Sequence, residues 1–179
     1  MRKVALAHVV VKLRDTDGGC YYLLHRHEKW GDWTLVGGHV EPGEEDLWAE
    51  TARREAEEEM PPLRCHPGDF FLAPLLTSPL TWGPRNSRSA GGEPTVYKAQ
   101  FFCMLFRRDP APLLAALEEG GFMLIAESQL HQHEDIGDVL RQLEGHLVGG
   151  LASVPSAWTG PSVARLLQRF SSATRTDTG

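Results

Sequence analysis

Between residues 37 and 60 the chain reads GGHVEPGEEDLWAETARREAEEEM, and its acidic residues are spaced to do chemistry. On a helix over 46–60, Glu55, Glu58 and Glu59 stand at i, i+3 and i+4 and share one face, while Glu57 points elsewhere. Carboxylates so arranged repel one another and weaken an isolated helix. A hard cation among the oxygens removes that penalty, and magnesium prefers one or two carboxylates together with substrate phosphates. The competing reading is a solvated acidic face, and for the EAEEE run taken alone it is the stronger. Upstream residues tilt the balance. Gly37-Gly38 gives a backbone that turns tightly and can offer a carbonyl to a metal. Pro42-Gly43 turns the chain back, so that Glu41 and Glu44 can approach the same centre.

The elements around this stretch must position it. Residues 4–13 are rich in β-branched side chains and predict a strand; Asp15-Thr-Asp-Gly-Gly19 supplies a turn, and 20–25 predicts the returning strand. Residues 34–36 form a short strand ending at Gly37-Gly38. In the helix, Trp48, Ala52 and Ala56 make the buried stripe, Asp46 is the expected N-cap, and Pro61-Pro62 ends it. Further strands are predicted over 70–76, 95–106 and 122–126, and helices over 134–147 and 161–170. Residues 81–93 (TWGPRNSRSAGGE) have the composition of an exposed loop. Strands, one helix, more strands and then helices predict a single α/β or α+β domain over residues 1–170, with 171–179 as a frayed tail.

The glutamate stretch resembles the Nudix box, G-x5-E-x7-R-E-U-x-E-E-x-G-U, where U is aliphatic. Gly38, five residues and Glu44 match its first part; Arg54-Glu55 and Glu58-Glu59 match its second, with Ala56 at the first aliphatic position. WTLVGGHVEPGE ahead of the helix is also typical of that family. Nine residues rather than seven separate Glu44 from Arg54, with the insertion near Glu45-Asp46-Leu47; Pro61-Pro62 replaces the closing Gly-U pair, and Val36 stands where many members have proline. A loop insertion costs little and leaves the helix face intact.

The resemblance implies an α/β/α sandwich with a mixed sheet between helices. It implies a pyrophosphohydrolase, dependent on magnesium or on manganese in its place, acting on a nucleoside diphosphate linked to another moiety. By the same resemblance Glu58 and Glu59 are the principal metal ligands, Glu55 is a further ligand or the base, and the Gly37 carbonyl is an inner-sphere oxygen. Arg54 orients the glutamates, through Glu44, while Gly38, Glu41 and Glu44 support the loop. Family members take the base from the box or from a downstream loop, where Glu118 and Glu119 are the candidates. A catalytically silent domain of the same type, binding a nucleotide and regulating a partner, is the competing function. Retention of Arg54, Glu55, Glu58 and Glu59 favours the enzyme, because a pure binder has no need of a repelling cluster.

Outside the box, Trp82, Arg85 and Arg88 are the substrate-binding candidates: an indole to stack on a base and two guanidinium groups to clamp phosphate. Solvated loop residues are the alternative. His25 and His27 lie one residue apart on a predicted strand and face the same side, but neither they nor His39, His131 and His133 have recognisable metal spacing. Trp158 reads as packing. The net charge of -6 argues against a nucleic-acid surface, although divalent cations let an acidic protein hold a polyanion. Cys20, Cys65 and Cys103 form no CxxC pair, which points away from disulfide or zinc frameworks and toward a reducing compartment. His8 and Lys12 interrupt the first apolar run, so it reads as strand and not as a signal peptide; no run approaches the roughly 20 residues of a membrane span. The expectation is a cytoplasmic protein whose partner is a nucleotide-type small molecule, without nucleic acid or membrane, and with a homodimer left open.

Overall fold

The computed structural model describes residues 1–44 and 46–173, with side chains described to residue 170. In chain order its strands begin with β1 (Arg2–Val10), β2 (Lys12–Arg14), β3 (Cys20–Arg26), β4 (Trp33–Thr34) and β5 (Val36–His39). Helix α1 (Trp48–Glu59) follows, then β6 (Phe70–Pro74), β7 (Leu80–Asn86) and β8 (Pro94–Phe106). The short α2 (Ala111–Leu114), β9 (Phe122–Ala126), α3 (Asp138–Glu144), β10 (Trp158–Thr159) and α4 (Ser162–Ala173) complete the order.

Instead of one sheet there are two mixed ones. The first runs β5-β1-β8-β6, with β7 also on β8, and the second runs β10-β2-β3-β4, with β9 on β3. Each contains one parallel pair, β1 with β8 and β10 with β2. The apolar run expected as one strand over 4–13 is divided at Val11, where the chain passes from the first sheet to the second. Val11 still accepts a bond from the Leu23 amide at 3.0 Å, so the two sheets are continuous through this run.

Side-chain alternation sorts this run between two cores. Ala7, Val9, Val11 and Leu13 pack with Ala52 and Ala56 of α1 and with Val163, Leu166 and Phe170 of α4. Val4, Leu6 and Val10 pack on the opposite side with Leu140 and Leu143 of α3. The β-layer therefore lies between helices, an α+β sandwich. Among the described residues no helix is long and apolar enough to cross a membrane.

Helix α1 has the expected buried stripe, Ala52 and Ala56 being fully buried and Trp48 half-buried. Its start differs: Leu47 occupies the N-cap and no side chain caps the helix, so Asp46 does not serve. Glu45, in the expected insertion, lies outside the described residues. At the other end Glu57 accepts bonds from Arg53 (3.0 Å) and from the Cys65 amide (2.9 Å), tying the helix to the segment after Pro61-Pro62. Residues 81–86, expected in a loop, belong to β7, whose register on β8 shifts between Trp82 and Arg85. Gly83-Pro84 falls at the irregularity, where a strand tolerates a missing donor. Pairing with the long β8 overrides the loop-like composition elsewhere. Helix α3 starts later than expected, after Gly137, and α4 continues to Ala173; the remainder of the expected tail, 174–179, lies outside the described residues.

Candidate active site

Strand β5 is an edge strand, and its glycine pair allows close approach by two neighbours, the paired strand β1 and helix α1. Gly37 has φ 146°, and a Cβ there would collide with the Ala7 carbonyl oxygen and lie 2.8 Å from the His8 Cα. At Gly38 a Cβ would lie 2.5 Å from the Glu55 carboxyl carbon. The pair thus lets both β1 and the glutamate face of α1 close on the strand.

The Gly37 amide donates to Glu59 Oε2 at 3.0 Å, while Glu59 Oε1 lies 3.5 Å from His25 Nδ1 on β3. Arg54 Nη2 donates to Glu55 Oε1 at 3.2 Å and to the His39 carbonyl at 3.3 Å. Arg54 therefore orients Glu55 directly, and among the described residues its hydrogen bonds do not run to Glu44. The carboxyl of Glu55 is held above the usual carboxylate range, first by burial and then by the charge of Glu59. Glu58 adds to this, and Arg54 works against it.

Gly37, Gly38, Glu55, Glu58 and Glu59 line one cleft of about 610 Å³. Facing them are His8, His25 and His27, together with Glu118 from the segment before β9. His39 lines the cleft too, whereas Glu41, Glu44 and Glu119 are not among its lining residues. The donors suit a hard divalent cation: carboxylate oxygens, mutually repelling, around a space that a polyphosphate can enter. Among the described residues no three acidic, histidine or cysteine side chains already converge as a metal cluster.

The other substrate-binding candidates stand apart from the cleft lining. Trp82 stacks on Tyr97, ring centroids 5.6 Å apart, and Arg85 pairs with Asp138. Arg88, in a 3-10 turn (Arg88–Ala90), lies 3.7 Å from Asp32 and 5.9 Å from the Trp30 ring. His131 pairs with Glu144 at 3.1 Å, away from the cleft. Trp158 packs half-buried against the α1/α4 core, as its reading as packing implied. The cleft residues with no strong sequence signal are His8, His25 and His27; the same-face spacing of the last two was the available clue.

The family model for the NUDIX domain matches residues 3–136. A comparison with curated proteins finds no match. Among solved structures, the chain is similar to C. elegans Ap4A hydrolase, with TM-score 0.52 and 22% identity over 83% of this chain and 100% of that one. It is similar to Shewanella oneidensis NrtR (TM-score 0.52, 18% identity), covering 79% of this chain and 62% of that one, so it spans less than two thirds of the NrtR chain. A mutT/nudix family protein from Listeria innocua gives TM-score 0.51 and 18% identity over 79% and 92% of the two chains. At these identities the likeness is one of fold.

Proposed function

Because the chain belongs to the NUDIX domain family, we propose that it hydrolyses a phosphoric anhydride in a nucleoside diphosphate joined to a second group, using magnesium or manganese. The observation that carries this reading is that Glu55, Glu58 and Glu59 line a single cleft with the glycine pair. Glu58 and Glu59 would be the principal ligands, with the Gly37 carbonyl and, where it does not serve as the base, Glu55 completing the oxygen set. When bound, the metal neutralises the diphosphate and makes phosphorus more electrophilic.

The chain's own residues supply the rest. The Gly37 amide and His25 hold Glu59 from two sides, which limits the rotamer freedom lost on binding. Arg54 holds Glu55 against the β5 backbone. Water adds to phosphorus, its proton passes to a carboxylate of the cleft, and the bond to the leaving phosphate breaks. Glu55 suits the proton-accepting role, since burial and its acidic neighbours raise its basicity. Glu118, on the same cleft, is the second candidate. Of that segment's candidates Arg88 has the loosest partner, Asp32 at 3.7 Å, and would be the substrate contact; Trp82 and Arg85 would have to leave Tyr97 and Asp138 to join it.

The test is a panel of nucleoside diphosphate derivatives and dinucleoside polyphosphates, followed for phosphate or nucleotide release with magnesium, on wild type and Glu59→Gln. Glutamine keeps an acceptor for the Gly37 amide and removes the charge, so turnover should fall by about a hundredfold or more while the melting temperature holds. Tight nucleotide binding without turnover of any panel member would instead identify a silent binding domain.

A further inference from the structure

A short turn over residues 27–32 joins β3 to β4, and its first two residues, His27 and Glu28, line the cleft. The His27 amide donates to the Asp32 carbonyl at 2.8 Å, and the Gly31 amide donates to the His27 carbonyl at 2.8 Å. The His27 ring is fixed as well, because its Nδ1 accepts from the amides of Lys29 (3.2 Å) and Trp30 (3.4 Å). The proton then sits on Nε2 of a ring that lines the cleft. Beside it, ring centroids 6.3 Å away, stands Trp30, which is 37% exposed. Lys29 Nζ lies 4.7 Å from the indole centroid, and Arg88 approaches from the separate 3-10 turn.

An indole left this open forgoes the burial that large aromatics usually gain in a fold, and tryptophans with one wet face are enriched at binding surfaces. Around it Lys29 and Arg88 stand against Glu28 and Asp32, and Arg26 beside Gly31 and Trp33 adds a further cation. Beyond these charges the rim offers a π face, which phosphate alone does not use and a base does. A surface cation–π contact is weaker than a base stack, so an incoming ring can displace a cation from that face.

We propose that Trp30 forms a stacking subsite for the substrate's aromatic ring, continuous through His27 with the diphosphate cleft. The substrate class is thereby a base-bearing anhydride and not a plain polyphosphate. This rests on the reading of the glutamate cleft as the diphosphate site.

The experiment compares two probes that resist hydrolysis: the α,β-methylene analogue of ADP, and methylenediphosphonate, which lacks base and sugar. Both are titrated calorimetrically with magnesium into the full chain as wild type, Trp30→Ala, Trp30→Phe and Glu59→Gln. Trp30→Ala should weaken the ADP analogue at least fivefold, the lower end for one base–aromatic stack. Methylenediphosphonate affinity should stay within about twofold, since the stack does not touch it. Trp30→Phe should recover most of the loss, and Glu59→Gln should weaken both probes. Unchanged analogue affinity in Trp30→Ala, equal loss for both probes, or no analogue binding by wild type would each overturn the subsite. Trp30-dependent binding without turnover of any anhydride would refute the hydrolase reading and leave the subsite standing. Turnover with Trp30-indifferent binding would do the reverse.

Discussion

Acidification should expose the cost of burying His8. The imidazole is 6% exposed, neither ring nitrogen meets full hydrogen-bond geometry with a described residue, and it stacks on Phe101 at 5.6 Å between centroids. Burial first, and then the charge of His39, lower its pKa from 6.5 to about 4, against a smaller opposing contribution from the Val36 backbone. The sign follows from proton counting. Below pH 6.5 the unfolded chain binds a proton that the folded chain refuses, so stability is lost as pH falls from about 6.5 toward about 4. The full gap corresponds to about 3 kcal/mol. Between about pH 7.5 and about pH 5 the loss from this one group is about 2 kcal/mol, a large share of a typical domain's stability. The assay is urea unfolding at both pH values, in a chelator, on wild type and His8→Leu. Carboxylates and other histidines titrate alike in the two proteins, so the difference between their pH slopes belongs to His8. His8→Leu should lose about 2 kcal/mol less on acidification. At the higher pH it should be at least as stable as wild type, because two poorly paired buried nitrogens are gone. Identical slopes would refute the argument that His8 stays neutral in the folded chain.

Gly38→Ala sets a methyl group 2.5 Å from the Glu55 carboxyl carbon and must displace that side-chain end, so turnover on the panel's best substrate should fall at least about tenfold with little change in melting temperature. Wild-type rates in that variant would show that the glycine pair is not what seats Glu55. Trp82→Ala removes the stack on Tyr97 and should cost about 1–3 kcal/mol in denaturant unfolding. Its effect on KM should be smaller than that of Arg88→Ala, whose guanidinium stands at the Trp30 rim; a larger KM effect from Trp82→Ala would show that β7 moves onto the substrate.

The glutamate face was readable because a helix is a local object. The spacing of Glu55, Glu58 and Glu59 against Ala52 and Ala56 fixes which side is buried, and α1 has that stripe within two residues of its expected ends. The strand runs over 20–25, 95–106 and 122–126 were equally visible from their β-branched and aromatic content. What escaped depends on partners far away in sequence. Nothing near Val11 says that one apolar run will serve two sheets, because that is decided by β8 on one side and β3 on the other. Residues 81–86 look like a loop until β8 supplies a ladder for them. In the site the difference is sharper. The helix side of the cleft was legible, whereas the facing wall comes from β3, the turn 27–32 and the segment before β9. Trp30 has no periodicity to reveal it, and Arg54 turned out to grip Glu55 and the β5 backbone, not Glu44.

The parallel pairing of β1 with β8 also bears on how the chain is made. Register runs from Arg2 opposite Thr95 to Val10 opposite Cys103, so each residue of β1 meets a partner 93 positions downstream (95 less 2, and 103 less 10). Strand β5 can cover one edge of β1 early, through Leu6 with His39, but the other edge has no neighbour until β8 is synthesised. At ordinary elongation rates that interval is about 5–20 s. Throughout it, a row of unpaired amides and carbonyls flanked by Val4, Leu6, Val9 and Val10 is open to other nascent chains. Holdase chaperones should therefore engage the emerging chain before residue 103 and release it afterwards, and slowing translation within 40–94 should lengthen that engagement without altering the finished fold.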